Sequence, residues 1–522
     1  MIIDVPTKSV LLRTAQARRL HNLLPHHAKL VDYEGHNIAF RYSLDTMKIL
    51  RNIGFKVPSP IRHFYDWPGR YTPMAHQIDT SEFLTFTRRG FVLSEMGTAK
   101  TASVLWALDY LMDMGQITRT LVVGPMSTLE QVWLHEVFSI VMDRKAVVLK
   151  GDAERRRELL ASRADIYIIN YEGLPIIAAD VQKRADINLI VIDEAAAYRN
   201  STNDRYKVLR ELVKDTNTIA KSRRLWMLTG TPCPNAPTDA WALARLVDPL
   251  KVPTYFTTFK RDTMMQVSTY KWVPRVGSAE KAYAVMQPAI RFRKADCIDL
   301  PPLVYETRDV DLTADQRKAY STMKNNFVLQ YKQGTVSAVN AAHQITVLRQ
   351  ILLGSVKDMN GNYITIDHAP RLKVLLECIE QAAAKVIVIV PYKGITRVLA
   401  QELAPRYSCE IVNGDVSPKE RNEIWTRFRN EKDPHLALCH PQVMAHGLTL
   451  TEADMIIMYG PINSNELSLQ LIERINRPGQ KRKMTVIRMG AMALEWDIYK
   501  VVEGRKLEQD SILELYRKEM ER

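Results

Sequence analysis

Short apolar runs alternate with amphipathic stretches along most of this chain. Phe91-Val92-Leu93, Thr120 to Val123, Ile166 to Ile169 and Leu189 to Ile192 are apolar or β-branched at every position. Runs of that kind fit strands covered on both faces, as in a parallel sheet. Between them, Thr101 to Met114 and Thr128 to Val141 carry helical patterns. The alternation returns at Val386 to Val390, Cys409 to Val412, Leu436 to Cys439, Met455 to Met458 and Met484 to Ile487, with helical patterns at 394–404 and 417–430. Such strand–helix alternation predicts an α/β fold with doubly wound parallel sheets.

Two such lobes are expected, at 66–250 and 371–500. The intervening 251–370 is richer in helical patterns, is broken at Leu300-Pro301-Pro302, and predicts a helical insertion and inter-lobe region. Residues 1–65 predict a small α+β unit. A hairpin from Ala28 to Tyr42 turns at Glu34-Gly35-His36-Asn37, a short helix covers Ser43 to Ile53, and Pro58, Pro60, Pro68 and Pro73 stiffen the connector to the first lobe. Residues 501–522 predict a C-terminal helix.

Length and composition narrow the class. The chain has 522 residues, 46% of them hydrophobic and 25% charged, as in soluble globular proteins with several cores. Its formal net charge of +14 favours a polyanionic partner, most commonly nucleic acid, although charge alone does not decide the matter. Cys233, Cys297, Cys378, Cys409 and Cys439 lie far apart without a C-x-x-C pair, so they read as buried thiols in a reducing cytosol rather than as a zinc site. The start lacks a basic segment leading into an apolar stretch, so no signal peptide is expected. The longest apolar runs are far short of the ~20 residues of a membrane span.

Candidate chemistry sits at the ends of the expected strands. Ser94-Glu95-Met96-Gly97-Thr98-Ala99-Lys100-Thr101 follows a strand and opens a helix, where backbone N–H groups and the helix dipole can cradle phosphates. Lys100 would reach the β/γ-phosphates and the Thr101 hydroxyl would ligate Mg²⁺. Ala99 stands where the usual pattern has glycine. Asp193 and Glu194 end another apolar strand; Asp193 would hold Mg²⁺ and Glu194 would polarise the attacking water. Gln470, Arg474 and Arg477 are spaced to share one helix face, and the two arginines could reach a γ-phosphate. Thr229-Gly230-Thr231-Pro232 follows the strand Leu225 to Leu228, and taken alone it reads as a plain turn.

Together these residues resemble the Swi/Snf family of DNA-translocating ATPases within helicase superfamily two. The resemblance runs from about Tyr71 to Ile498. Tyr71 to Gln77 looks like the family's adenine-reading motif, which implies that Gln77 meets the base. Ser94 to Thr101 looks like motif I, implying nucleotide contacts from Glu95, Met96, Gly97, Thr98, Ala99, Lys100 and Thr101. Gly124 to Ser127 with Trp133 and Glu136, and Asn170-Tyr171-Glu172, look like motifs Ia and Ib. Asp193 to Ala196 with Arg199-Asn200 looks like motif II, and Leu228 to Pro232 with Asn235 is similar to motif III. Arg291 to Lys294 looks like a basic segment that precedes the second lobe. Val412 to Asp415 with Arg421 looks like that lobe's early motif. Ala445 to Thr451 looks like motif V, implying a nucleotide contact from Gly447. Gln470 to Gln480 is similar to motif VI, implying one from Gln470 and arginine fingers at Arg474 and Arg477.

The departures are Ala99, Ala196 and Asn476, and Thr449 in a Gly-Leu-Thr-Leu form like that of the annealing-helicase branch. They leave the charged set Lys100, Asp193, Glu194, Arg474 and Arg477 intact. The resemblance therefore implies an ATP- and Mg²⁺-using, DNA-dependent ATPase. It would be a motor on double-stranded or branched DNA that works as a monomer, alongside replication or recombination proteins. A strand-separating helicase and a non-hydrolysing ATP/DNA clamp are the alternatives. A cytoplasmic, nucleoid-associated setting in a bacterial or phage-infected cell is expected. Residues 1–65 could grip DNA through Arg13, Arg18, Arg19 and Lys29, or cap the first lobe.

Overall fold

The structure, a computed structural model, describes residues 1–214, 223–268, 272–332, 338–358, 361–444 and 449–505. Two compact units divide the chain. Among the described residues, 1–233 and 237–297 belong to one, and 298–505, with the short Pro234–Ala236 stretch, belong to the other.

The first unit opens with a four-stranded antiparallel sheet. Strands β1 (Ile2–Asp4), β2 (Ser9–Leu12), β3 (Ala28–Tyr33) and β4 (His36–Arg41) lie in the order β1-β2-β4-β3. The β3–β4 hairpin turns on two residues, Glu34 and Gly35, both with positive φ, a pairing that matches strand twist in tight hairpins. Val10, Leu12, Ile38 and Phe40 face a core closed by Leu20, Met47 and Leu50. Gln116 fastens this N-terminal layer to the rest of the unit. Its side chain accepts from Lys48 Nζ (2.6 Å) and Arg224 (3.0 Å) and donates to Asp45 (3.0 Å).

The next sheet has seven strands. They are β5 (Arg89–Val92), β6 (Arg119–Gly124), β7 (Ala146–Val148), β8 (Ile166–Asn170), β9 (Ile187–Ile192), β10 (Arg224–Leu228) and, after a small hairpin of β11 (Met264–Gln266) and β12 (Trp272–Pro274), β13 (Ala289–Ile290). All pair in parallel in the order β13-β5-β10-β9-β6-β8-β7. Both faces are covered by apolar cores, so the strands read as continuous hydrophobic runs.

The second unit repeats the plan. It begins with β14 (Leu303–Asp309). The helices Ala314–Lys332 and Ala338–Leu353 and the hairpin of β15 (Ser355–Lys357) with β16 (Tyr363–Thr365) are inserted after that strand. Strands β17 (Lys385–Ile389), β18 (Cys409–Val412), β19 (Leu436–Cys439), β20 (Ala453–Met458) and β21 (Met484–Gly490) join β14 in a parallel sheet of order β14-β21-β20-β17-β19-β18. Each unit is thus a doubly wound α/β lobe of RecA-like type.

Two expectations need correction. The lobes do not stop at 250 and resume at 371. β13 hydrogen-bonds to β5 in the first sheet, and β14 pairs with β21 over its whole length in the second, so most of the inter-lobe stretch belongs to one lobe or the other. Thr128 to Val141 is not one regular helix. A 3₁₀ turn (Met126–Thr128), a π-helical turn (Leu129–Leu134) and an α-helix (His135–Ile140) succeed one another. The expected C-terminal helix is helical over 493–505, and 506–522 lie outside the described residues.

Candidate nucleotide site

The first lobe builds its site from the order of its strands. β5, β10, β9 and β6 are consecutive neighbours and all parallel, so their C-terminal ends lie along one edge. The loops that leave those ends carry Ser94 to Thr101, Thr229 to Pro232, Asp193-Glu194 and Gly124-Pro125.

The loop after β5 curls around its own lysine. Lys100 Nζ donates to the carbonyls of Ser94 (2.8 Å) and Glu95 (3.0 Å). Gly97 (φ 82°) and Ala99 (φ 52°) take left-handed conformations, so Ala99 keeps the curl despite its Cβ. The helix Lys100–Asp113 then starts with no side chain capping its first turn and no acid in that turn. Its first N–H groups are therefore presented at the loop, an arrangement suited to an anion. Thr101 lies at the helix start and is half-buried.

Neighbouring groups hold the loop from outside. His76 Nε2 is 3.0 Å from the Thr98 carbonyl. Gln77 is buried and its Oε1 accepts from the Met74 amide (2.8 Å), capping the helix Ala75–Phe86. The Glu95 carboxylate accepts from Arg291 (3.2 Å) and from the Lys294 amide (2.9 Å), so its side chain braces the basic segment 291–294 while its carbonyl serves Lys100. Met96 lies beside Gly230, where a Cβ would come within 3.2 Å of the Met96 nitrogen; that close approach ties the Thr229-Gly230 turn to the loop.

The acid pair is fixed by two aromatic residues. Trp133, on the π-helical turn, donates its indole N–H to Asp193 Oδ2 at 2.9 Å. Tyr171 donates its hydroxyl to the carbonyls of Asp193 (2.6 Å) and Glu194 (3.2 Å). Glu194 sits in the left-handed region at φ 46°, and its amide bonds Asp193 Oδ1 at 3.0 Å. Desolvation raises the Asp193 pKa above the usual carboxylate value, while the Trp133 bond, the Lys100 charge and the Glu194 amide pull it down. The lysine is thus close enough to act on the carboxylate electrostatically. Motif spacing singles out Trp133 and Tyr171 without showing that they support this pair. His76 carries no separate signal in the sequence.

The second lobe holds the other candidates. Gln470 is buried on the helix Asn465–Ile472. That helix ends before the arginines, so the expected single helical face over Gln470, Arg474 and Arg477 is not formed. Pro478 cannot continue a helix and disfavours helical backbone at Arg477, and Gly479 turns at φ 100°. Side-chain bonds assemble the group instead. Arg474 Nε donates to the Gln470 carbonyl (3.0 Å), and the Arg474 carbonyl accepts from the Leu450 amide (2.9 Å). Arg477 donates to the Glu473 carbonyl (2.9 Å) and to Thr449 Oγ1 (3.1 Å). Gln480 closes the turn onto the Ala453 carbonyl at 2.9 Å. Gly447 lies outside the described residues.

The SNF2-related domain family matches residues 33–359, and the helicase conserved C-terminal domain family matches 370–479. The chain belongs to the SNF2-related family of helicase-like ATPases. Among curated proteins similar to this chain, protein p41 of Acyrthosiphon pisum secondary endosymbiont phage 1 is 27% identical, covering 78% of this chain and 88% of its own. An ISWI chromatin-remodeling complex ATPase of Saccharomyces cerevisiae is 25% identical over 77% of this chain, which spans only 36% of that protein. Among solved structures, the Sulfolobus solfataricus SWI2/SNF2 ATPase core in complex with dsDNA aligns at 21% identity and a TM-score of 0.40, covering 85% of this chain and 93% of that one.

Proposed function

We propose that the protein hydrolyses ATP as its magnesium complex and couples turnover to movement along double-stranded DNA. The observation that carries this reading is the convergence of the Lys100 loop and the Asp193–Glu194 pair on one sheet edge. The residues present fit a metal–triphosphate: a curled loop, an uncapped helix start, an ammonium and a carboxylate, with a hydroxyl residue next to the lysine in sequence. When bound, the magnesium would neutralise charge on the phosphate oxygens.

In this reading Lys100 and the loop amides hold phosphates, and Thr101 and Asp193 hold the metal. Glu194 positions water, Gln77 is assigned to the base, and Arg474 and Arg477 to charge on the transferring phosphoryl group. Ala99 retains the left-handed turn that a glycine would supply, which speaks against a non-hydrolysing clamp. The net charge of +14 fits a DNA backbone as partner, with steep salt dependence and little sequence preference.

Two assays divide movement from strand separation. Displacement of a third strand from a blunt triplex, dependent on ATP, is the expected result. Efficient unwinding of a tailed fork with no triplex displacement would favour the strand-separating reading instead.

A further inference from the structure

In the second lobe, the chain leaving β20 runs through Tyr459 to Ser464 before entering the helix Asn465–Ile472 that leads to Arg474 and Arg477. This short connection is gripped at several points by elements outside the motifs. Arg371 is fully buried, donates to the Tyr459 carbonyl, and pairs with the equally buried Glu495 at 2.6 Å. Arg349 donates from Nη1 to Asn463 Oδ1 at 3.1 Å and from Nη2 to the Pro461 carbonyl. Leu353 fills the space beside Gly460, where a Cβ would meet its Cδ2 at 2.8 Å. Tyr459 donates its hydroxyl to the Leu353 carbonyl at 3.4 Å.

Arg349 and Leu353 are four residues apart on the helix Ala338–Leu353 and so share a face. That face is docked on the connection. Gln316, from the preceding helix, donates to the carbonyls of Ile351 (3.1 Å) and Leu352 (3.0 Å) and so fastens the docked end to its partner helix.

We propose that Arg349 is a positioning residue for the arginine-bearing segment, through which the helices Ala314–Lys332 and Ala338–Leu353 set the entry angle of the helix Asn465–Ile472. The inference rests on the ATPase reading above. A planar guanidinium spans two acceptors, here Pro461 and Asn463, and so fixes direction as well as distance; an ammonium supplies only a point charge. The helix Asn465–Ile472 is stiff and rises ~1.5 Å per residue, so a tilt at its start displaces Arg474 and Arg477 beyond its far end.

The test uses the full chain with saturating duplex DNA. Arg349→Met keeps the apolar stem and removes the fork. Its kcat for ATP should fall roughly ten- to a hundredfold, while KM for ATP stays within about threefold. Arg349→Lys should recover only part of the loss. Asn463→Ala should reproduce part of it, and the Arg349→Met/Asn463→Ala pair should be no worse than Arg349→Met alone. An unchanged kcat, or a rise in KM without a fall in kcat, would overturn the inference. If Arg349→Met does not fold, an unchanged kcat in Asn463→Ala overturns it. Absence of ATP turnover in the unmodified chain would sink the ATPase reading itself, whereas turnover that survives in Arg349→Met sinks only the positioning role.

Discussion

Trp133 donates its indole N–H to Asp193, the carboxylate that ends β9, at 2.9 Å. A fully buried aromatic on a π-helical turn thereby steadies a half-buried carboxylate whose pKa desolvation raises. Trp133→Phe keeps a large ring and removes the donor. It should destabilise the lobe by about 1–3 kcal/mol, because the acceptor loses its partner inside the protein. The bond lowers the Asp193 pKa, so its loss should raise that pKa further and move the acid limb of the ATP turnover profile to higher pH. A pH–rate comparison of the two proteins checks this; superimposable acid limbs would contradict it.

Ala99 sits at φ 52°, a conformation that glycine adopts freely and β-branched residues strongly resist. Ala99→Gly should leave stability within about 1 kcal/mol, since relief of backbone strain and added freedom of the unfolded chain oppose one another. Ala99→Val should cost more, on the order of 1–2 kcal/mol, and reduce turnover by distorting the loop. Thermal unfolding with ATP turnover measures both, and equal behaviour of the two variants would argue against the left-handed turn.

Arg371 and Glu495 form an ion pair buried on both sides. Removing the cation alone strands a buried charge, so Arg371→Ala should destabilise by about 3–5 kcal/mol. Replacing both, as Arg371→Met with Glu495→Leu, should recover much of that loss. Urea unfolding of the single and double variants provides the comparison.

Lys48 is half-buried beside Arg224, and burial first, then that neighbouring charge, pushes its pKa down to about 8 from the usual 10.5. A depressed folded-state pKa means that the folded chain releases this proton before the unfolded chain does. The Lys48 contribution to stability is therefore largest above about pH 10.5 and is lost as pH falls through about 8. Between those values the unmodified protein should gain stability relative to Lys48→Met as pH rises, read from denaturant midpoints. A difference that stays flat with pH would refute the assignment.

The central strands of both lobes were legible because each is buried on two faces, which makes its sequence apolar at nearly every position. The edges were not. β13 has two residues, and β14 mixes Val304 and Tyr305 with Glu306 and Arg308, and none of its residues is fully buried. Lys100, Asp193 and Glu194 stood out because strand ends with those residue types have few structural uses. The supporting contacts of Trp133 and Tyr171 did not. Trp133 and Tyr171 reach the acid pair because β6 lies beside β9 and β8 beside β6, an order fixed by long crossovers that local spacing does not encode. The stop at Ile472 had a signal in Pro478 and Gly479, which helical spacing of the arginines outweighed.

The central claim is that ATP turnover needs both the Lys100–Asp193–Glu194 set and the Arg474–Arg477 pair. Steady-state ATP turnover with and without duplex DNA, in the unmodified chain and in Lys100→Ala, Glu194→Gln and Arg474→Ala, tests it most directly. The account predicts turnover stimulated by duplex DNA in the unmodified chain and a loss of at least about a hundredfold in each variant. Full turnover in a folded Arg474→Ala protein, or in Lys100→Ala, would contradict it.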